Sequence, residues 1–279
     1  MRRLLPLVLL ALPLLGQVRP EDRAMNQPVV PFHIVGDVYY VGASDVTSFL
    51  IATPRGLILL DGGMPETVPQ IERNIEHLGF HLRDVKILLN SHAHFDHAGG
   101  LAELKRVTGA RLEAGAGDVA LLARGGLGDP QYGNRFPFPP VEADRPLHDG
   151  DRIALGGVTL IAHATPGHTR GCTTYSLHTG GHDVVFIGSP TAPGPYRLVG
   201  NRAYPDVVED YRRQFAVLKS LPCDIMLGSH GGFFHLSEKL KTHRFVDPGE
   251  YRRFIAQMEA DFEARLSAQS SSTSPPRSR

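Results

Sequence analysis

Cysteine is scarce in this chain: of 279 residues only Cys172 and Cys223 carry a thiol. Two cysteines exclude a disulfide framework, the device by which small secreted domains replace a core. A surplus of one charge is also missing, since 29 Lys+Arg balance 29 Asp+Glu. No bulk field therefore draws the chain to nucleic acid or to an anionic membrane. Nor is there an apolar run long enough to cross a bilayer. The stretch Leu4–Leu15 is too short for a span, and Pro6 and Pro13 interrupt it. What the chain does have is 42% hydrophobic residues, enough for one large domain or two ordinary ones, and 14 histidines, several of them clustered.

Met1-Arg2-Arg3 followed by Leu4–Leu15 has the form of a secretory signal, a basic start and an apolar middle. Cleavage between Leu15 and Ala24 is expected to release a soluble protein into the periplasm. No cysteine stands near enough to the apolar run for a lipid anchor. The expected division is a signal and leader over 1–24, one domain over 25–267, and a Ser/Pro/Arg-rich disordered tail over 268–279.

Between these ends strands and helices alternate, the pattern of an α/β fold with helices covering layered sheets. Strands are expected at Val29–Val41, Ser48–Ala52, Gly56–Leu60, Val85–Asn90 and Arg111–Ala114. A second set is expected at Arg152–Leu155, Val158–His163, Cys172–Leu177, Val184–Ile187 and Asp224–Leu227. Helical spacing marks Thr67–Leu78, Leu101–Thr108, Asp118–Arg124, the run through Val207, Tyr211, Phe215 and Leu218, and an amphipathic stretch from Tyr251 to Leu266. Residues Gly125–Pro146 have little periodicity but hold Tyr132, Phe136 and Phe138. So long an aromatic loop in a compact domain is expected to form a wall of a functional groove.

The chemistry centres on Ser91-His92-Ala93-His94-Phe95-Asp96-His97, which follows an apolar strand and precedes a helix. On such a loop, backbone curvature aims neighbouring side chains to one side, which strand alternation forbids. Three imidazoles and a carboxylate, with no cysteine among them, suit zinc or a similar ion. Two more histidines stand at strand ends, His168 in Thr165-Pro166-Gly167-His168-Thr169 and His230 in Gly228-Ser229-His230-Gly231-Gly232. Either is a turn residue or a further ligand; beside the first loop they complete two coordination shells. Asp61, at the end of Gly56–Leu60, is either a turn-forming Asp-Gly or a partner that orients a ligand histidine. His163 alternates along a strand and reads as a satisfied histidine rather than a ligand.

These residues, with Asp61-Gly62-Gly63-Met64-Pro65, Ala123-Arg124-Gly125-Gly126, Ser189-Pro190-Thr191-Ala192-Pro193-Gly194, Tyr204-Pro205 and Glu209-Asp210-Tyr211-Arg212-Arg213, resemble the metallo-beta-lactamase superfamily and its B3 subclass. The resemblance runs in order from Asp61 to Val246. It implies a four-layer αββα sandwich with metals along one sheet edge. By that likeness His92, His94 and His168 would bind a first Zn2+, and Asp96, His97 and His230 a second. Asp96 would also orient a metal-bound hydroxide that attacks a β-lactam amide, and Ser189 and Thr191 would hold the substrate carboxylate. The implied partner is a small β-lactam, met by a monomer without nucleic acid or membrane.

Departures matter too. Relatives that pair a cysteine placed like Cys223 with one near the C-terminal helix have no counterpart here, because Asp247-Pro248-Gly249-Glu250 lacks cysteine. Whether Cys172 reaches Cys223 is left open by the sequence. Three rival readings follow. Lactonases and thioesterases of the fold place a bridging aspartate just after the strand equivalent to Val184–Ile187; here Gly188-Ser189 stands there and Asp183 precedes the strand. A dinucleotide enzyme is suggested only by Gly115-Ala116-Gly117, a weak match that leaves the histidines without a purpose. A zinc-storage protein would saturate its ligands and turn nothing over.

Overall fold

The computed structural model describes residues 20–273. The apolar run and the proposed cleavage region up to residue 19 lie outside the described residues, as does the tail from 274 onward. In chain order the elements are α1 (Pro20–Met25), β1 (Phe32–Val35), β2 (Val38–Tyr40), β3 (Phe49–Thr53), β4 (Gly56–Leu60), α2 (Val68–His77) and β5 (Val85–Asn90). Then come α3 (Phe95–Ala98), α4 (Leu101–Thr108), β6 (Arg111–Gly115), α5 (Val119–Ala123) and β7 (Arg145–Leu147). The second half holds β8 (Arg152–Leu155), β9 (Val158–Ala164), β10 (Thr173–Thr179), β11 (His182–Ile187), α6 (Val207–Ser220), β12 (Ile225–Gly228), α7 (Leu236–Thr242) and α8 (Pro248–Thr273).

Two mixed sheets face each other. One is ordered β1-β2-β3-β4-β5-β6-β7 and the other β12-β11-β10-β9-β8. The alternation within single strands explains the layering. In β4, Ile58 and Leu60 point into the core between the sheets, while Leu57 and Leu59 pack on the helical layer of Ile71, Ile75, Leu101 and Leu104. In β5, Ile87 and Leu89 face inward and Leu88 outward. A strand buried on both faces reads as a continuous apolar run, which is why these two were easy to find. Tyr211, Phe215 and Leu218 of α6, with Ile255 and Phe262 of α8, cover the second sheet. Helix, sheet, sheet, helix is the sandwich expected from the sequence.

Topology then decides where chemistry can gather. Strands β4, β5 and β6 run parallel, as do β11 and β12, and β9 shares their direction through two antiparallel steps. The C-terminal ends of both sets open along one edge of the sandwich, because the Thr173 amide at the start of β10 donates to the Ser91 carbonyl after β5, and His97 beyond β5 lies 3.3 Å from His230 beyond β12; this is the side where α/β sheets place ligands.

Two expectations need correction. The strand expected over Val29–Val41 is a hairpin, because Gly36 turns the chain at φ 50° between β1 and β2. The tail expected to be disordered from 268 instead continues α8 to Thr273. Its anchor is Gln269, whose amide oxygen accepts the backbone N–H of Leu198 (2.8 Å) and whose amide nitrogen donates to the Tyr196 carbonyl (2.8 Å). Both cysteines are free, Cys172 buried and Cys223 partly so, which answers the question left open above.

Candidate metal centre

Each histidine of the site arrives on a strand end. After β5 the chain turns at Ser91 and enters the one-turn helix α3, whose amides of His97 and Ala98 donate to the His94 carbonyl at 3.0 and 2.7 Å. That turn brings His94, Asp96 and His97 onto one side. Asp61 anchors it from β4. Its Oδ1 accepts the Ser91 amide (2.7 Å) and the Asn90 side-chain amide (3.0 Å), with Asp61 itself at a left-handed φ of 64°. A non-glycine residue held there is strained, and such strain persists only where the surroundings over-determine it. Close packing helps: a Cβ on Gly100 would meet the Gly62 carbonyl at 2.2 Å, so only glycine lets α4 approach this turn.

The six residues form two adjoining clusters. In the first, the rings of His92, His94 and His168 meet pairwise at centroid distances of 4.9, 4.7 and 4.7 Å, all three buried. In the second, His97 Nε2 lies 3.3 Å from His230 Nε2 and 3.4 Å from Asp96 Oδ2, and His230 Nε2 lies 3.7 Å from Asp96 Oδ2. A 4.3 Å separation between the His92 and His97 rings joins the two.

The second cluster admits a metal by its dimensions. With bonds of about 2.0–2.1 Å, the edge of a tetrahedral zinc site is about 3.3–3.4 Å. The three observed edges lie at or slightly above that. Charge says the same. His230 donates Nδ1–H to Asp45 Oδ2 at 3.0 Å, which leaves its Nε2 lone pair facing His97 and the Asp96 carboxylate. Burial disfavours a charged His97, yet Asp96 and Asp61 hold its imidazole up at about 10. The two carboxylates beside the ring favour a positive charge there. Burial likewise opposes charge on Asp96, but His97 and His230 keep its carboxyl well below the usual range.

In the first cluster burial pushes His92 and His168 well below the ordinary imidazole value, so both are neutral at neutral pH, the ligating form. His168 donates Nδ1–H to the Thr191 carbonyl at 2.8 Å, leaving its Nε2 lone pair for the site. His92 Nδ1 is 3.0 Å from Ser91 Oγ.

Of the remaining sequence candidates, Asp61 Oδ2 stands 3.6 Å from His97 Nδ1, where it can orient the ring. Ser189 is buried and its hydroxyl meets that of Thr191 at 3.1 Å; only Thr191 reaches the surface. His163 lies on the far sheet with Nε2 2.8 Å from Ser176 Oγ, a satisfied histidine as expected. No carboxylate enters from the end of β11, where Gly188 and Ser189 stand; a Cβ at Gly188 would meet the Thr173 carbonyl at 2.6 Å and the Cys172 sulfur at 2.8 Å.

The aromatic loop does line the site. Tyr132 sits edge-on to His94 at 5.2 Å and to Tyr196 at 5.4 Å, Phe136 stacks on Phe95 at 5.2 Å, and Tyr196 stacks on His168 at 5.2 Å. Three carboxylates that sequence reading passed over complete the arrangement: Asp45 on His230, Asp129 on His94 Nε2 at 3.3 Å, and Asp118. Asp118 Oδ2 accepts the Ala93 amide (2.9 Å) and the Thr169 hydroxyl (2.6 Å), and Oδ1 accepts the Gly171 amide (2.8 Å). The glycines before it serve the same junction, since a Cβ on Gly117 would meet the Arg170 carbonyl at 2.4 Å. That packing, not a nucleotide phosphate, accounts for Gly115-Ala116-Gly117. Only an aspartate closing a Gly-rich turn after a strand hinted at the role of Asp118; Asp45 and Asp129 had no local signal.

The family model for the metallo-beta-lactamase superfamily matches residues 41–230. The chain belongs to that superfamily. Among solved structures it resembles the FEZ-1 metallo-beta-lactamase of Legionella gormanii, with 44% identity, TM-score 0.85, and coverage of 88% of this chain and 98% of that one. BJP-1, a subclass B3 metallo-beta-lactamase of Bradyrhizobium japonicum, matches at 37% identity and TM-score 0.83, over 90% of this chain and 98% of that one. A curated relative, the hydroxyacylglutathione hydrolase of Fuscovulum blasticum, is 28% identical over 186 residues, which span 66% of this chain and 61% of that protein. This superfamily member is thus a hydrolase by fold and neighbours, with a histidine-rich site suited to a metal cofactor. No helix among its described residues is long and apolar enough to cross a membrane.

Proposed function

We propose that this chain hydrolyses the amide bond of β-lactams — penicillins, cephalosporins and carbapenems — with two zinc ions. His92, His94 and His168 would hold the first, and Asp96, His97 and His230 the second. The observation that carries this reading is the pairing of two three-donor clusters along one sheet edge with no carboxylate entering from β11. Likeness to B3 enzymes over nearly their whole length supports it.

Bound there, the ions would supply Lewis acidity and a water of lowered pKa, roughly 7. The rest falls to side chains. Asp96, the one carboxylate among the six donors, accepts a hydrogen bond from the attacking water and orients it. With His92 and His168 neutral, the six donors bring a single negative charge, so two bound ions would leave the coordination shell itself positive and favourable to an anionic substrate. Thr191, steadied by Ser189, receives the substrate carboxylate, and Tyr132 and Phe136 form an apolar wall that excludes water from one side. Residues 1–15 support export to the periplasm, where such a substrate would be met.

A chromogenic cephalosporin in zinc-replete buffer tests the reading, with S-lactoylglutathione as the competing substrate because a curated relative is a hydroxyacylglutathione hydrolase. Turnover of the cephalosporin that a chelator abolishes and zinc restores is expected. An intact cephalosporin beside a hydrolysed thioester would replace this reading with a thioesterase. His168→Ala should leave one metal per chain; undiminished stoichiometry would reject the ligand assignment.

A further inference from the structure

The Gly125–Pro146 loop does more than wall the groove. We infer that Asp129 is a positioning residue that locks the tautomer of His94 and thereby couples this loop to the first metal position. The inference rests on the reading that His94 is a ligand there.

Asp129 is buried, and its two oxygens face different ways. Oδ1 accepts the backbone amides of Gln131 (2.7 Å) and Tyr132 (2.6 Å), and the Asp129 and Gly133 backbones exchange hydrogen bonds at 3.0 and 2.9 Å, so the loop tip is closed on this side chain. Oδ2 points the other way, to His94 Nε2 at 3.3 Å. Both of those atoms are buried and have no better hydrogen-bond partner among the described residues. A carboxylate so placed favours the proton on Nε2, which bares the Nδ1 lone pair. A partner of this kind fixes both ring orientation and tautomer.

The same short segment carries Tyr132, edge-on to His94 and 5.1 Å from Phe136. One side chain therefore ties the aromatic contact surface to a ligand. Moving the loop tip withdraws the carboxylate, and with it the preference for the tautomer that ligates.

Asp129→Asn separates this role from loop architecture. The asparagine oxygen can keep the Gln131 and Tyr132 amides, but its NH2 then faces Nε2 and favours the tautomer protonated on Nδ1. In a His230→Ala background, where only the first position should fill, Co2+ or Zn2+ is titrated against a competing chelator. Asp129→Asn should weaken that affinity about 10- to 100-fold. In a His168→Ala background, which reports on the second position, affinity should not change, and melting of the metal-free protein should match that of the parent. An unchanged first position overturns the inference, and so does an equal loss at both. If the variant does not fold, 15N-detected NMR of the metal-free parent decides: a proton on His94 Nδ1 overturns it and one on Nε2 upholds it. Failure of the β-lactamase reading looks different, as two bound metals with no cephalosporin turnover.

Discussion

Asp118 accepts a hydrogen bond from the Thr169 hydroxyl at 2.6 Å, and through that bond the two halves of the histidine site are held in register. The same carboxylate takes the Ala93 amide from the first histidine loop and the Gly171 amide from beyond the second. His92 and His94 lie on one side of it in sequence and His168 on the other. Their convergence therefore depends on a residue that touches none of the three rings.

Removing it should be severe. Asp118→Ala leaves three buried donors without an acceptor, each costing about 1–3 kcal/mol, so a loss of roughly 3 kcal/mol or more is expected in urea unfolding. Metal content at the first position should fall with it. A variant that unfolds like the parent and retains its metal would show that the loops align without Asp118.

Gly100→Ala probes the close approach beneath the turn. Its Cβ would sit 2.2 Å from the Gly62 carbonyl and 2.5 Å from a methyl of Val68, so backbone must shift. Overpacking of this kind costs about 1–3 kcal/mol. Because Gly62 follows Asp61, the displacement should also lower activity, and thermal unfolding compared with kcat measures both.

Phe136→Ala tests the groove wall without touching a ligand. Phe136 contacts Phe95 and Tyr132. An aromatic contact contributes about 0.5–1.5 kcal/mol, so KM for a cephalosporin with an aryl side chain should rise up to about tenfold while kcat holds. A changed kcat with constant KM, measured by steady-state kinetics, would place the residue in the chemistry instead.

The thiols make a pH prediction. Burial raises Cys223 to about 12 and pushes Cys172 higher still. The unfolded chain gives up these protons near its ordinary value of about 8.5. Between there and about 12 the native state binds more protons than the unfolded one, so stability falls as pH rises. Cys223→Ala should flatten that alkaline decline, read as urea midpoints from pH 8 to 11. In the native protein neither thiol should react with a thiol reagent at neutral pH, whereas both should on unfolding.

Much of this was legible in the linear chain, for identifiable reasons. β4 and β5 announce themselves because burial on both faces leaves an unbroken apolar run. The His92–His97 loop is dense enough in donors that its purpose needs no partner to be read. Helix α6 shows in the spacing of Val207, Tyr211, Phe215 and Leu218, which all face one core. Other features were hidden because their cause is distant. Nothing local to Ser267–Ser272 foretells that Gln269 will bind Leu198 and Tyr196. Nothing near Asp129 or Asp45 points to a histidine 35 residues on one side or 185 on the other.

The amino-acid order by itself determined which side chains could hold a metal, that they fall on strand ends, and that helices cover layered sheets. Those properties follow from residue type and period, which act over a few neighbours. Only the folded chain decided that parallel strands β4, β5, β9, β11 and β12 deliver their ends to one edge, and which carboxylate meets which ring. Such pairings depend on angles and distances of a few ångströms between segments far apart in sequence, and those exist only once both sheets have packed.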